Sequence, residues 1–209
     1  MAITNGYITR LELRQYIEDT EQATYTDSQG ELLDLVIEAV SRWIDNELPG
    51  GMRFYASNET RYYTPEFPDL LWVDDLLSIT TLKSDDDWDG TYEVTFATTD
   101  YILEPRNAAL DNEPYRQIRT NFGTGDLSFP VGVRDGVEIV GSFGYSSTAP
   151  TVIKQATLLL ANRLWRRKDA VFGVAGTAAL GVTTVQAQIT RDSDIVDMIH
   201  GISERGFYR

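Results

Sequence analysis

The sequence predicts an α+β fold: a small helical bundle core with an inserted antiparallel β-domain and an extended C-terminal arm. Three observations carry this. Two segments near the N-terminus and one around residue 160 place apolar side chains at the 3–4 spacing of amphipathic helices. The stretch between them is a series of short β-branched or aromatic runs separated by turn residues. Apolar helix faces cannot stay bare, so the two N-terminal helices and the central helix must pack together across that stretch. The expected division is 1–50 for the first two helices, 51–147 for the inserted β-domain, 148–170 for the central helix and 171–209 for a flexible loop and arm.

Taken in order, Thr9-Arg10-Leu11-Glu12 reads as a capping box, with Thr9 capping backbone amides and Glu12 reaching back. Leu13, Tyr16 and Ile17 then give a short amphipathic helix to about residue 19. Ser28 and Glu31 form a second box before a helix whose stripe is Leu33, Ile37, Val40 and Ile44, with Val36 and Trp43 beside it. Pro49-Gly50-Gly51 stops that helix near residue 48. Strands are expected at 60–64, 70–73, 79–82, 92–96, 101–103, 116–120 and 137–143. Asp89-Gly90, between the third and fourth of these, is a hairpin signal.

The central helix, 150–170, carries Val152, Ile153, Ala156, Leu159, Leu160 and Leu164, and is apolar almost all round over 156–161. Its last turns are basic, with Arg163, Arg166, Arg167 and Lys168, where cations suit the macrodipole and the free carbonyls. Trp165 within that cluster reads as a core or interface anchor. Gly173, Gly176 and Gly181 then break regularity, and a short last helix carries Ile195, Met198 and Ile199. Phe207 and Tyr208 sit on a terminal tail with little to fold onto, so they call for a binding place in cis or on a partner.

Composition narrows the function classes. The 209 residues include no cysteine, which removes disulfides and thiolate metal sites and suits assembly in a cytosol. Thirty-two acids against 18 bases leave a net charge of −14, the wrong sign for general nucleic-acid affinity. No apolar run reaches the roughly 20 residues of a membrane span, and the N-terminus lacks the pattern of a signal peptide.

Catalytic and metal motifs are weak. Asp85, Asp87, Asp89 and Gly90 copy the first half of a calcium loop, D-x-D-x-D-G, but the closing bidentate Glu would fall at Phe96 and the flanks read as strands. A solvated acidic hairpin turn is the plainer reading. His200 is the only histidine and so the only base for a Ser-His arrangement, yet no G-x-S-x-G elbow is present. Asp74-Asp75 and Glu138 lie in strand-like segments without a partner pattern. Gly173-Val174-Ala175-Gly176 follows a helix and lacks the Gly-Lys-Ser/Thr of a phosphate loop. No enzymatic activity, metal or cofactor is expected, although a carbohydrate-active or other hydrolase on the β-domain is the alternative of a different class. The basic helix end has two readings, a helix terminus paired with the chain's many acids, or an interface.

The order of pieces resembles the head–tail connector (adaptor, or neck) proteins of long-tailed bacteriophages. The residues that carry the resemblance begin with Ile8-Thr9-Arg10-Leu11-Glu12-Leu13, the helix over 32–48 and Arg53-Phe54-Tyr55. They continue with Glu59-Thr60-Arg61-Tyr62-Tyr63, the strand 76–82, the hairpin 85–90 and Asp100-Tyr101-Ile102-Leu103-Glu104-Pro105. They end with the helix 153–169 running into Phe172-Gly173-Val174-Ala175-Gly176, then 192–199 and 205–209. The resemblance implies a structural subunit of a virion neck ring, commonly of twelve copies, that binds the portal protein, extends the DNA channel and meets the next neck or tail protein. A stopper or tail terminator is the neighbouring alternative. It further implies that Ile195, Met198, Ile199, Phe207 and Tyr208 form a portal-docking arm. Arg163, Arg166, Arg167 and Lys168 would then face a neighbouring subunit or the portal. Genome DNA would pass without sequence-specific binding. Small members of that family are nearly all helical, and the β-domain at 51–147 is this chain's departure from them.

Overall fold

A computed structural model describes residues 3–17, 27–121, 123, 127–167, 195 and 197–199. His200, Lys168, Phe207, Tyr208 and the glycine-rich 173–176 lie outside the described residues. The chain divides into two compact units, Met1–Gly51 with Ala149–Arg209, and Met52–Thr148.

In the first unit α1 (Arg10–Ile17), α2 (Asp27–Glu47) and α4 (Thr151–Arg167) touch one another pairwise. The capping box at α1 is formed: the Glu12 amide donates to Thr9 Oγ1 at 3.2 Å, and the Thr9 amide donates to the Glu12 carboxylate at 2.6 Å. The Thr9 hydrogen bonds, the amide's foremost, hold the Glu12 carboxyl below its usual range. Thr9→Ala should therefore cost about 1 kcal/mol, read as a shift in the urea midpoint. α2 starts at Asp27, so Ser28 lies inside the first turn instead of capping it. Its end follows the expected stop, with Pro49–Gly51 as a 3-10 turn and Gly50 at φ 72°.

Leu33, Ile37, Val40 and Ile44 on α2 are buried, as are Leu13 on α1 and Ile153, Ala156, Leu160, Ala161 and Trp165 on α4. The segment before α1 is pinned to α2 by polar groups. The Tyr7 amide donates to Ser41 Oγ at 3.1 Å, the Tyr7 hydroxyl donates to Asp45, and Arg42 Nη2 donates to the Asn5 carbonyl at 2.8 Å. Arg10 clamps the nearly buried Asp34 with two hydrogen bonds, joining α1 to α2.

The second unit is one antiparallel sheet in the order β1-β6-β2-β5-β4, with β3 paired to β2. Its strands are β1 (Ser57–Tyr63), β2 (Leu70–Ser84), β3 (Val94–Phe96), β4 (Tyr101–Glu104), β5 (Tyr115–Thr120) and β6 (Val137–Phe143). A short α3 (Ala108–Asp111) lies between β4 and β5 and carries no sequence period that would announce it. The core gathers Leu71, Leu76, Leu82, Phe96, Ile118, Phe129, Val137, Ile139 and Phe143.

Two strands expected at 70–73 and 79–82 are one 15-residue strand, β2. Asp74 and Asp75 in its middle are poor strand formers, but each meets an arginine of another strand of the sheet, one on the adjacent β5 and one on β1, two strands away. Arg61 Nη1 of β1 reaches Asp74 at 2.9 Å and Arg116 Nε of β5 reaches Asp75 at 3.0 Å. These two acids therefore do have partners. The length has a second cost, because the β2–β6 register slips twice, between Leu76 and Ser78 and between Ile79 and Thr81.

Tyr63, whose hydroxyl donates to Asp74 at 3.2 Å, has its phenol pushed up to about 12, first by burial and then by the Asp74 charge. A raised folded pKa favours the neutral form. Its contribution is complete below the unfolded tyrosine value of about 10 and is lost as pH climbs from there through about 12. One of the 11 tyrosines should thus titrate last in a tyrosinate-absorbance scan, and Tyr63→Phe should remove that final step.

Candidate functional site

Among the described residues, one group of acids gathers closely. Asp85, Asp87, Asp89 and Glu93 each bring a carboxylate oxygen to within 4.8 Å of the others. They sit in the β2–β3 connection, where Leu82 pairs with Phe96 and Ser84 with Val94. Asp85 is buried, and both its oxygens are used inside the loop, accepting from the Trp88 and Gly90 amides at 2.9 Å each. Asp89 accepts from Thr91, whose hydroxyl and amide hold its carboxyl below the usual range. For Asp87 the hydrogen bond from the Asp89 amide pulls its carboxyl down, but the repulsion of Asp89, Glu93 and Asp85, with desolvation, outweighs it and leaves the pKa raised. A divalent cation would relieve that repulsion. The EF-hand closure is missing all the same, since Phe96 is a buried member of the sheet core, stacked on Phe129 at 5.4 Å. The arrangement is an acidic turn tied by its own backbone.

The basic end of α4 is a surface feature with a defined neighbour. Arg163, Leu164 and Arg166 are exposed, Arg167 is half-buried, and Trp165 is buried, which makes the tryptophan a core residue. Arg166 Nε donates to Asn162 Oδ1 at 3.0 Å, one turn back. Between the C-terminal ends of α1 and α4 an open cleft of about 400 Å³ is lined by Gln15, Tyr16, Ile17, Asn162 and Arg166. The guanidinium of Arg166 and the half-exposed ring of Tyr16 thus share one rim.

The residues assigned to an arm separate into two kinds. Ile195 and Ile199 are helical and buried, at 0% and 1% exposure, and Met198 is half-buried. Side chains so covered are not available to a partner until whatever lies over them moves.

Periodicity missed a surface on α2. Leu32 and Leu35 are each 50% exposed, and with Ala39 and the half-buried Val36 and Trp43 they recur at helical spacing on a face about a third of a turn round from the buried stripe. The signal was present as a second apolar period offset from the first, and it is masked because one stripe already satisfies an amphipathic helix.

No protein-family model matches the sequence, and no curated protein matches it. Solved structures do resemble it. A chain from the neck of an empty GTA particle computed with C6 symmetry superposes at TM-score 0.56 and 17% identity, with 96% of this chain and 91% of that chain covered. A chain from the neck of a native GTA particle computed with C12 symmetry does so at TM-score 0.50 and 16% identity over the same shares. A third comes from the virion of a native gene transfer agent particle, at TM-score 0.50 and 18% identity. At these identities the likeness is one of fold, and it runs through both units.

Proposed function

We propose that this chain is a structural subunit of a virion neck: a head–tail connector (adaptor) that assembles as a ring, binds the portal protein, extends the DNA channel and links the capsid to the next neck or tail protein. The observation that carries the reading is the fold likeness over 96% of the chain to chains from necks computed with C6 and C12 symmetry. Physical chemistry supports it. A chain of net charge −14 placed around a channel repels a polyanion, so DNA slides where a basic lining would hold it. A closed ring needs two different patches on each subunit, and closure fixes the copy number, here taken as twelve. In this reading the three helices form the ring-building bundle, and the basic end of α4 is one of the patches. Phe207 and Tyr208 are the aromatics of the portal-docking arm, and Ile195, Met198 and Ile199 join them on the portal only by leaving the covered positions they hold in the free chain. The role is non-enzymatic and requires no cofactor.

Reversal of charge tests the assignment of the helix end. Arg166→Glu with Arg167→Glu should lower the yield of rings, counted by electron microscopy, by at least about tenfold, because the loss recurs at every contact of the ring. Unchanged assembly would return these arginines to the role of a solvated helix terminus. Co-purification with the portal tests the wider reading, since a connector must be retained by it and a chain that is not retained is no connector.

A further inference from the structure

α2 has two apolar faces where a helix packed on one side needs one. Its inner stripe is buried, and its outer run Leu32, Leu35, Val36, Ala39 and Trp43 extends over three turns, about 16 Å at 1.5 Å per residue. The charge around the two long helices is opposite in sign. On α2, Asp34 and Asp45 are buried against Arg10 and Arg42, which leaves Glu31, Glu38 and Glu47 nearer the surface, whereas α4 holds Lys154, Arg163, Arg166 and Arg167 and no acid. Glu31 and Glu47 are exposed beside the outer run of α2, and Arg163 and Arg166 are exposed at the end of α4, next to Tyr16 and the cleft.

We infer that the outer face of α2 is the seat for a second copy of this chain, which docks on it with the basic end of α4 and the Tyr16 rim. An apolar centre ringed by polar groups is the anatomy of a protein interface, and opposite charge on the two rims fixes register and speeds encounter. Both halves of the match lie on one molecule but on different surfaces. The contact is therefore head-to-tail, and repeating it generates a ring or a filament, whereas a twofold contact would stop at a dimer. The inference rests on the ring reading above and names the second of the two patches that reading requires.

The chain has no cysteine, so one introduced thiol is the only thiol present. Full-length Leu35→Cys and Arg166→Cys proteins, mixed at high concentration and treated with a short bismaleimide, should give mixed dimers in several-fold excess over either self-linked dimer. A Thr98→Cys and Arg166→Cys mixture provides the background, because Thr98 is exposed on the other unit. The same pairs are to be treated on the portal-bound protein. Mixed dimers no more abundant than background in both settings overturn the inference, as do Leu35→Cys self-dimers in excess, which would mean a twofold contact. If Leu35→Cys resists maleimide in the full chain and reacts once 201–209 is removed, the chain's own tail is the occupant and the inference fails. Leu35→Glu gives the complementary readout. Leu35 is half exposed, so unchanged far-UV circular dichroism is expected together with at least about tenfold fewer rings. Rings that form normally with Leu35→Glu refute this contact and leave the neck reading standing, whereas wild-type protein that never forms rings, with or without portal, refutes the neck reading itself.

Discussion

Replacing Gly141 with alanine is expected to destabilise the sheet unit by about 2–4 kcal/mol, the upper range for strain forced into a packed interior. Gly141 lies in β6, opposite Ile79 of β2 and Glu59 of β1, beside the register slips of β2. The irregular β2 backbone leans over β6 there, and a Cβ on Gly141 would stand 2.4 Å from the Ser78 carbonyl oxygen. That oxygen belongs to backbone held in the β2–β6 ladder, so it cannot swing aside as a side-chain tip would. Relief requires β2 to lift from β6, and the buried Leu76, Leu82 and Ile139 share that seam. For a domain of this size the loss amounts to a fall in Tm of roughly 10–25 °C. Gly132→Ala separates a clash from a generic loss of glycine. Gly132 has φ +78° but open space around it, so only the backbone strain of about 1 kcal/mol should appear. Equal effects of the two substitutions would show that close approach at Gly141 is not the cause.

The second large effect is a loss of docking. Removing 201–209 takes away Phe207 and Tyr208 and should abolish retention on the portal while leaving Tm within a few degrees. The longer deletion, 192–209, is a poorer test. It also removes Ile195 and Ile199, both buried, and each such side chain contributes about 1.5–3 kcal/mol of burial. That deletion should lower Tm as well as docking, and the contrast between the two truncations assigns the two jobs. If the short deletion still binds the portal at wild-type strength, the aromatic tail is not the arm. Should the long deletion leave Tm unchanged, the isoleucines contribute nothing to the fold and their burial has no energetic weight.

Where a local rule and the tertiary environment agreed, the sequence could be read. The Thr9–Glu12 box, the Pro49-Gly50-Gly51 stop and the span 137–143 of β6 are local patterns with one physical outcome. The connection around Asp89-Gly90 also joins two paired strands, although Asp85 organises it by accepting from two amides. Reading failed where distant residues override the local preference. Strands were expected at 70–73 and 79–82, with no partner pattern for Asp74-Asp75, and Arg61 and Arg116, far away in sequence, are the partners that let one strand run through. α3 is too short for a period, and its end is set by Asn112 in the left-handed region at φ 55°. The basic end of α4 was visible from composition alone. The outer face of α2 was not, because the expectation of one buried stripe absorbed Val36 and Trp43 and left Leu32 and Leu35 unremarked. Exposure, which only the fold supplies, is what separates the two faces.

The central claim is that this chain builds a ring on a portal, and the mass of the complex tests it most directly. Purified chain should be mixed with its purified portal assembly, the excess removed, and the complex weighed by native mass spectrometry. The account expects the portal's mass plus one closed set of copies of the 23.5 kDa chain, with twelve the expected number, at every excess tested. A portal that emerges at its own mass, or with a copy number that drifts with the amount of chain added, would contradict it.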